Sequence, residues 1–220
     1  MAPEEVAKLD VRQEPGPRSP AEMFALMQDR LEDLQDYLKG DSSPRALWST
    51  IRDEYVMRQA IAGRLEERAL GAYTVGQEGV TAEGKETDIR LRSTVNGIEG
   101  VIELKIGDRE YYSGRSLRET ISQQLLSKYL APQARRAGCL MVTRSSRKRW
   151  EHPDTGEMLD FGALIAMLSE AAGEVQKTFP DEIYLSVVGL DLSPRLPTER
   201  AARKPRAKLR SRRPPEDPVG

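Results

Sequence analysis

The sequence predicts a mixed α/β domain with a sheet core in the order α-β-β-β-α-β, an α-β extension behind it and one added helix in front. Two observations predict this. Apolar residues recur every three or four positions in residues 19–40 and again to about residue 70, and the spacing then changes to two between residues 72 and 106. Beyond residue 113, helical and strand patterns alternate.

The first helix begins at Ser19-Pro20-Ala21-Glu22, with serine as N-cap, proline at the first helical position and glutamate closing a capping box. Phe24, Met27, Leu31, Leu34 and Leu38 form its stripe, and Gly40 ends it. That stripe either packs on the domain or pairs with a protein partner or second copy through residues 21–39. Asp41-Ser42-Ser43-Pro44 is expected to cap a second helix reaching about Leu70. Residues 72–77, 87–92 and 100–106 then read as three strands of a meander. Ser116-Leu117-Arg118-Glu119 resembles a capping box opening a helix through about Arg136. Residues 139–143 form a short apolar run suited to a buried strand. Asp160 caps a helix with Leu164, Leu168, Ala171, Val175 and Phe179 on one face, and residues 183–190 form the last strand.

Composition frames this domain. Hydrophobic residues at 38% against 31% charged are few for a chain that is compact throughout, so both ends are expected to be disordered: residues 1–18 and a tail, 193–220. The domain itself spans residues 44–192. Residues 195–213 hold nine Lys or Arg against Glu199 alone, a local +8, which leaves −9 on the remainder of a chain whose formal charge is −1. Such a segment either touches phosphate backbones or acidic partners, or is simply solvated. The single cysteine, Cys139, excludes an internal disulfide framework and fits a reducing cytoplasm. No apolar run approaches the length of a membrane span, so no membrane partner is expected. His152 is the only histidine, which excludes HExxH-type zinc clusters. Residues 79–85 match the phosphate-loop spacing, but Glu86 stands where Ser or Thr would follow and a strand comes next, so no nucleotide cofactor is expected.

The candidate site lies on the meander. Glu103 and Lys105 are two apart on a strand and share a face, while Ile102 and Leu104 take the other. A hairpin through residues 93–97 brings Asp88 level with Glu103. Two carboxylates and an ammonium in one small volume suit a hard divalent cation such as Mg²⁺ or Mn²⁺. The face is expected to be a solvated cleft, so that Lys105 contributes chemistry and little stability. On the second helix Leu47, Ile51, Glu54, Arg58, Ile61 and Leu65 share a face, and the two charges either pair with each other or serve the site. Asp53 and Glu66 face elsewhere. Arg144, Arg147, Lys148, Arg149 and Trp150 follow the fourth strand. They either grip phosphate, with Trp150 stacking on a base, or form a solvated loop around a packed tryptophan.

The element order, with Asp88 and Glu103-Leu104-Lys105 on adjacent strands and Gln123-Gln124-Leu125 on the next helix, resembles the PD-(D/E)xK, restriction-endonuclease-like, nuclease superfamily over about residues 44–150. Thr87 stands where its members often have proline. The segments 71–75, 84–91, 102–105 and 124–125 are similar, more loosely, to nuclease-type domains at the C-termini of large bacterial NTPase or HEAT-containing proteins. The resemblance implies a Mg²⁺- or Mn²⁺-dependent phosphodiesterase acting on nucleic acid, DNA before RNA, in bacterial defence or DNA processing. By the same resemblance Asp88, Glu103 and the Leu104 main-chain carbonyl hold the metal, Lys105 orients the attacking water or takes its proton, and Gln124 aligns Lys105 or the phosphate. Glu54 joins the cluster through a ligand or a water. The alternative it leaves is a catalytically inactive module that docks nucleic acid or protein.

Overall fold

The computed structural model describes residues 14–77, 88–130, 135–179 and 183–194. Helix α1 (Pro20–Lys39) starts where the sequence places it, with the Ser19 side chain accepting from Glu22 N. The Glu22 carboxylate reaches one residue further back than a standard box and accepts from Arg18 N at 2.7 Å. Its stripe faces inward. Met27, Leu31, Leu34 and Leu38 are buried in the core, and Phe24 lies 5.6 Å from the Tyr184 ring. The stripe is therefore consumed within the chain, as the packing alternative has it.

The expected second helix is two. A single turn, α2 (Arg45–Trp48), is followed by a break and then by α3 (Glu54–Glu67). The break has a local cause: Asp53 is the N-cap of α3, its carboxylate accepting from Tyr55 N and Val56 N at 2.7 and 3.2 Å. Glu54 thus opens α3 instead of sitting in mid-helix.

Strands β1 (Tyr73–Gln77), β2 (Asp88–Ser93) and β3 (Glu99–Ile106) form the antiparallel meander. Gly97 turns the β2–β3 connection at φ 73°, a conformation that a Cβ would strain. Helix α4 (Gly114–Thr120) is capped by Ser113, three residues before the expected serine, because Ser113 and Ser116 satisfy each other's main-chain N–H reciprocally. It runs on as a π-helix, Ile121–Tyr129. The chain then enters β4 (Arg135–Arg144), so the helix ends well before Arg136. A short hairpin, β5 (Trp150–Glu151) with β6 (Met158–Leu159), precedes α5 (Phe161–Lys177) and β7 (Tyr184–Asp191). His152 lies in that hairpin's turn, its Nδ1 accepting from Asp154 N and Thr155 N.

The five-stranded sheet has the order β1-β2-β3-β4-β7, with β3, β4 and β7 mutually parallel. Helices α1 and α3 cover one face over Ile89, Leu91, Ile102, Leu104, Cys139 and Met141. Helix α4, the π-helix and α5 cover the other over Val101, Leu140, Val142 and Leu185. Parallel strands buried on both faces need continuous apolar runs, which β4 supplies in Cys139-Leu140-Met141-Val142. At the outer strand β7, the Gln176 side chain accepts from Leu185 N at 2.9 Å and the Gln35 side chain donates to Gly189 O at 3.0 Å.

Residues 14–18, expected to be disordered, are packed. Glu14 N donates to Leu70 O, and Ser93 Oγ donates to the buried Pro17 carbonyl. A Cβ on Gly16 would meet Val95, Ala72 and Thr94 at 2.8–2.9 Å. The remaining expectations for residues 1–13, 79–87 and 195–213 lie outside the described residues.

Candidate functional site

Strand register builds the centre of the site. Asp88 is paired directly with Glu103 across the β2–β3 ladder. Residues opposite each other on antiparallel strands share a face, with Cβ atoms about 4.5–5.5 Å apart. Glu103 and Lys105 alternate with Ile102, Leu104 and Ile106, so they lie on the face of Val101, toward α4 and the π-helix. Lys105 Nζ sits 2.5 Å from Glu103 Oε1.

This face is not the solvated cleft expected. Glu103 is 1% exposed and Lys105 5%, because helices close over both sides of β3. A buried ion pair is held at the cost of desolvating both charges, so each partner depends on the other. The Leu104 side chain packs in the opposite core, and its main chain pairs with Met141 of β4.

Glu54 arrives from the other side of the sheet. As the first residue of α3 it extends past the C-terminal end of β3, where its Oε1 accepts from Ile106 N at 3.0 Å. The Tyr112 phenol lies near the same carboxylate. Burial, then the neighbouring Glu54 charge, push the Tyr112 phenol far above its usual range, so it remains a donor. Lys105 Nζ lies 5.8 Å from the centre of the Tyr112 ring. Tyr112 therefore stands between Glu54 and the Glu103–Lys105 pair. Sequence reasoning missed it, since nothing local distinguishes it from the exposed Tyr111 beside it. The one available signal was its place in the loop that follows the Glu103–Lys105 strand.

The basic cluster after β4 is divided. Lys148 Nζ spends its three donors on the carbonyls of Gly107, Arg109 and Tyr112, at 3.0, 2.5 and 2.8 Å. Burial lowers its pKa, and the negative charges of Asp108 and Glu110 partly oppose that. Asp108 reinforces the same loop by accepting from the main chain and hydroxyls of Ser145 and Ser146. Arg144 pairs with Asp191 and lies 4.9 Å from the centre of the Phe161 ring. Trp150 is 1% exposed and packs against Phe161, so base stacking by this residue gives way to the packed alternative. Arg147 and Arg149 are exposed, and Arg149 donates to Met158 O at 2.6 Å. Gln124 is exposed on the π-helix, whereas its neighbour Leu125 is buried.

The site thus unites Glu103, Lys105 and Glu54 with the backbone position of Asp88, adds Tyr112, and excludes Trp150. Among the described residues, no group of three His, Cys, Asp or Glu side chains is gathered as a metal cage. No family model, curated protein or solved structure matches the chain. Among the described residues no helix is long and apolar enough to cross a membrane.

Proposed function

We propose that the protein is a metal-dependent phosphodiesterase of the restriction-endonuclease-like class, hydrolysing nucleic acid. The observation that carries the reading is the register of Asp88 against Glu103, with Lys105 on the same face and Glu54 reaching the end of that strand. Carboxylate oxygens are the donors a hard divalent cation takes, so the residues present fit Mg²⁺ or Mn²⁺. Asp88, Glu103 and the Leu104 carbonyl would hold it, with Glu54 beside them. When bound, such an ion neutralises charge on the phosphate and makes water more acidic.

The chain's own part is played by its fixed charges. Lys105 is engaged with Glu103 in the state described. Lys105 Nζ would orient the water that attacks phosphorus. The water oxygen forms a bond to phosphorus as the ester bond to the leaving oxygen breaks. The water's proton passes to solvent, and the leaving oxygen takes one from solvent. Gln124 and Arg147, both exposed, are available to phosphate oxygens.

A second reading has its own observation. The burial of Glu103 and Lys105 suits a closed, structural ion pair in a module that docks nucleic acid or protein without cutting it. Cleavage of plasmid and oligonucleotides with Mg²⁺, Mn²⁺ or EDTA separates the two. The proposed activity requires metal-dependent cleavage that EDTA abolishes and that Asp88→Asn loses. Binding without cleavage by the parent chain favours the docking module.

A further inference from the structure

We propose that Tyr111 is a stacking platform for an unpaired nucleobase at the entrance to the Glu103–Lys105 site; this rests on nucleic acid being the substrate, as read above, and not on its cleavage. A tyrosine at the surface is ordinary by itself. Tyr111 differs in where it stands. Lys105 Nζ lies 5.8 Å from the centre of the Tyr112 ring, and the Tyr111 ring packs on Tyr112 at 4.6 Å, tilted by 60°. Lys105 is 5% exposed, whereas Tyr111 is 65% exposed. The two rings therefore lead from the buried ammonium to solvent, and the outer one leaves most of its surface open.

The outer ring is also held in place. Lys148 Nζ binds the carbonyls of Arg109 and Tyr112, before and after it in the chain, at 2.5 and 2.8 Å. Asp108 ties the start of the same loop to Ser145 and Ser146, and Ser116 Oγ donates to Tyr111 O at 3.4 Å. A ring fixed beforehand loses little freedom when a flat partner is laid on it. Charge selects the partner. Residues 107–116 and 145–149 together hold five Lys or Arg against Asp108 and Glu110, a local +3, and Arg115, Arg147 and Arg149 of these are exposed. A phosphate backbone gains from that charge. A duplex hides the faces of its bases in the stack, so an open ring is met by a single strand or by a nucleotide turned out of the helix. Such stacking accepts any base.

The test uses the full chain and its Tyr111→Leu and Tyr111→Phe variants, with EDTA present so that no metal contributes. Binding of labelled oligothymidylate is compared by fluorescence anisotropy with binding of an abasic oligonucleotide of the same length, which keeps the phosphates and lacks the bases. Leucine keeps an apolar contact with Tyr112, and at so exposed a position it should leave the melting temperature unchanged. Tyr111→Leu is expected to weaken oligothymidylate binding by about 5–150-fold, the loss for one stacked base, and abasic binding by less than about twofold. Tyr111→Phe keeps the ring and should bind oligothymidylate within about twofold of the parent. Equal losses on both oligonucleotides, no loss on either, or a loss with phenylalanine as large as with leucine would overturn the assignment. If the parent binds neither oligonucleotide, the platform and the nucleic-acid reading fall together. If it binds oligothymidylate but cuts no nucleic acid with Mg²⁺ or Mn²⁺, the phosphodiesterase reading alone fails, and the same titrations still decide Tyr111.

Discussion

Replacing Lys105 by methionine removes the ammonium 2.5 Å from Glu103 and leaves a carboxylate whose side chain is 1% exposed. Methionine fills much of the vacated volume, so the dominant effect is electrostatic. Taking one partner from a buried ion pair costs about 3–5 kcal/mol, because the remaining charge keeps its desolvation penalty without its counter-charge. Each kcal/mol shifts the melting temperature of a domain of this size by about 2–4 °C, so Lys105→Met should melt roughly 6–20 °C below the parent. Adding Glu103→Gln removes the residual charge and should restore most of that loss. Melting followed by far-UV circular dichroism at neutral pH without metal measures both. Mn²⁺ should then raise the melting temperature of Lys105→Met more than that of the parent, since a cation can take the place the ammonium has left. A single variant that melts within about 2 °C of the parent, or a double variant no better than the single, would refute the argument.

Three further outcomes are expected. Trp150→Ala should cost about 3–5 kcal/mol in stability, as a large core aromatic does, whereas Arg147→Ala should leave melting unchanged and weaken nucleic-acid binding in a filter or anisotropy assay. Asp191 is partly buried, which raises a carboxyl pKa, but hydrogen bonds from Ser193 and Arg144 outweigh that and hold it below the ordinary carboxylate value of 3.8. Its stabilising share is therefore complete above that value and lost as pH falls through the lower, folded one; Asp191→Asn should lower the melting temperature at pH 7 and flatten its decline in acid. Deleting residues 195–213, which carry a local +8, should reduce the slope of log K against log salt for duplex DNA by about 0.9 per lost phosphate contact. Turnover at saturating substrate should survive that deletion.

Where structure depends on neighbours a few residues away, the sequence was informative. Ser19 and Asp160 cap the helices expected of them, and the face shared by Glu103 and Lys105 follows from strand parity. The level placement of Asp88 and Glu103 needed only the hairpin. The second helix misled because Leu47, Ile51, Ile61 and Leu65 keep a helical spacing across a real break, although Leu47 is 67% exposed. Asp53, set aside for facing elsewhere, was the capping signal. The basic cluster misled for a different reason. Whether Lys148 meets a phosphate or three carbonyls is decided by the loop after β3, about forty residues away. Burial of Trp150 depends likewise on Phe161 and the sheet. The π-helical continuation of α4 has no counterpart in the apolar pattern of its residues.

The two glutamines at β7 bear on how copies of this chain meet. An outermost strand normally offers its main chain to any extended segment that drifts past, which is how sheets grow from one molecule to the next. Here the amides of Gln35, from α1, and Gln176, from α5, have already claimed Gly189 O and Leu185 N. A foreign strand would have to evict both before it could zip onto this border. Losing both amides together, as in Gln35→Ala/Gln176→Ala, would turn a sealed seam into a template for self-association, while the fold behind it kept its core.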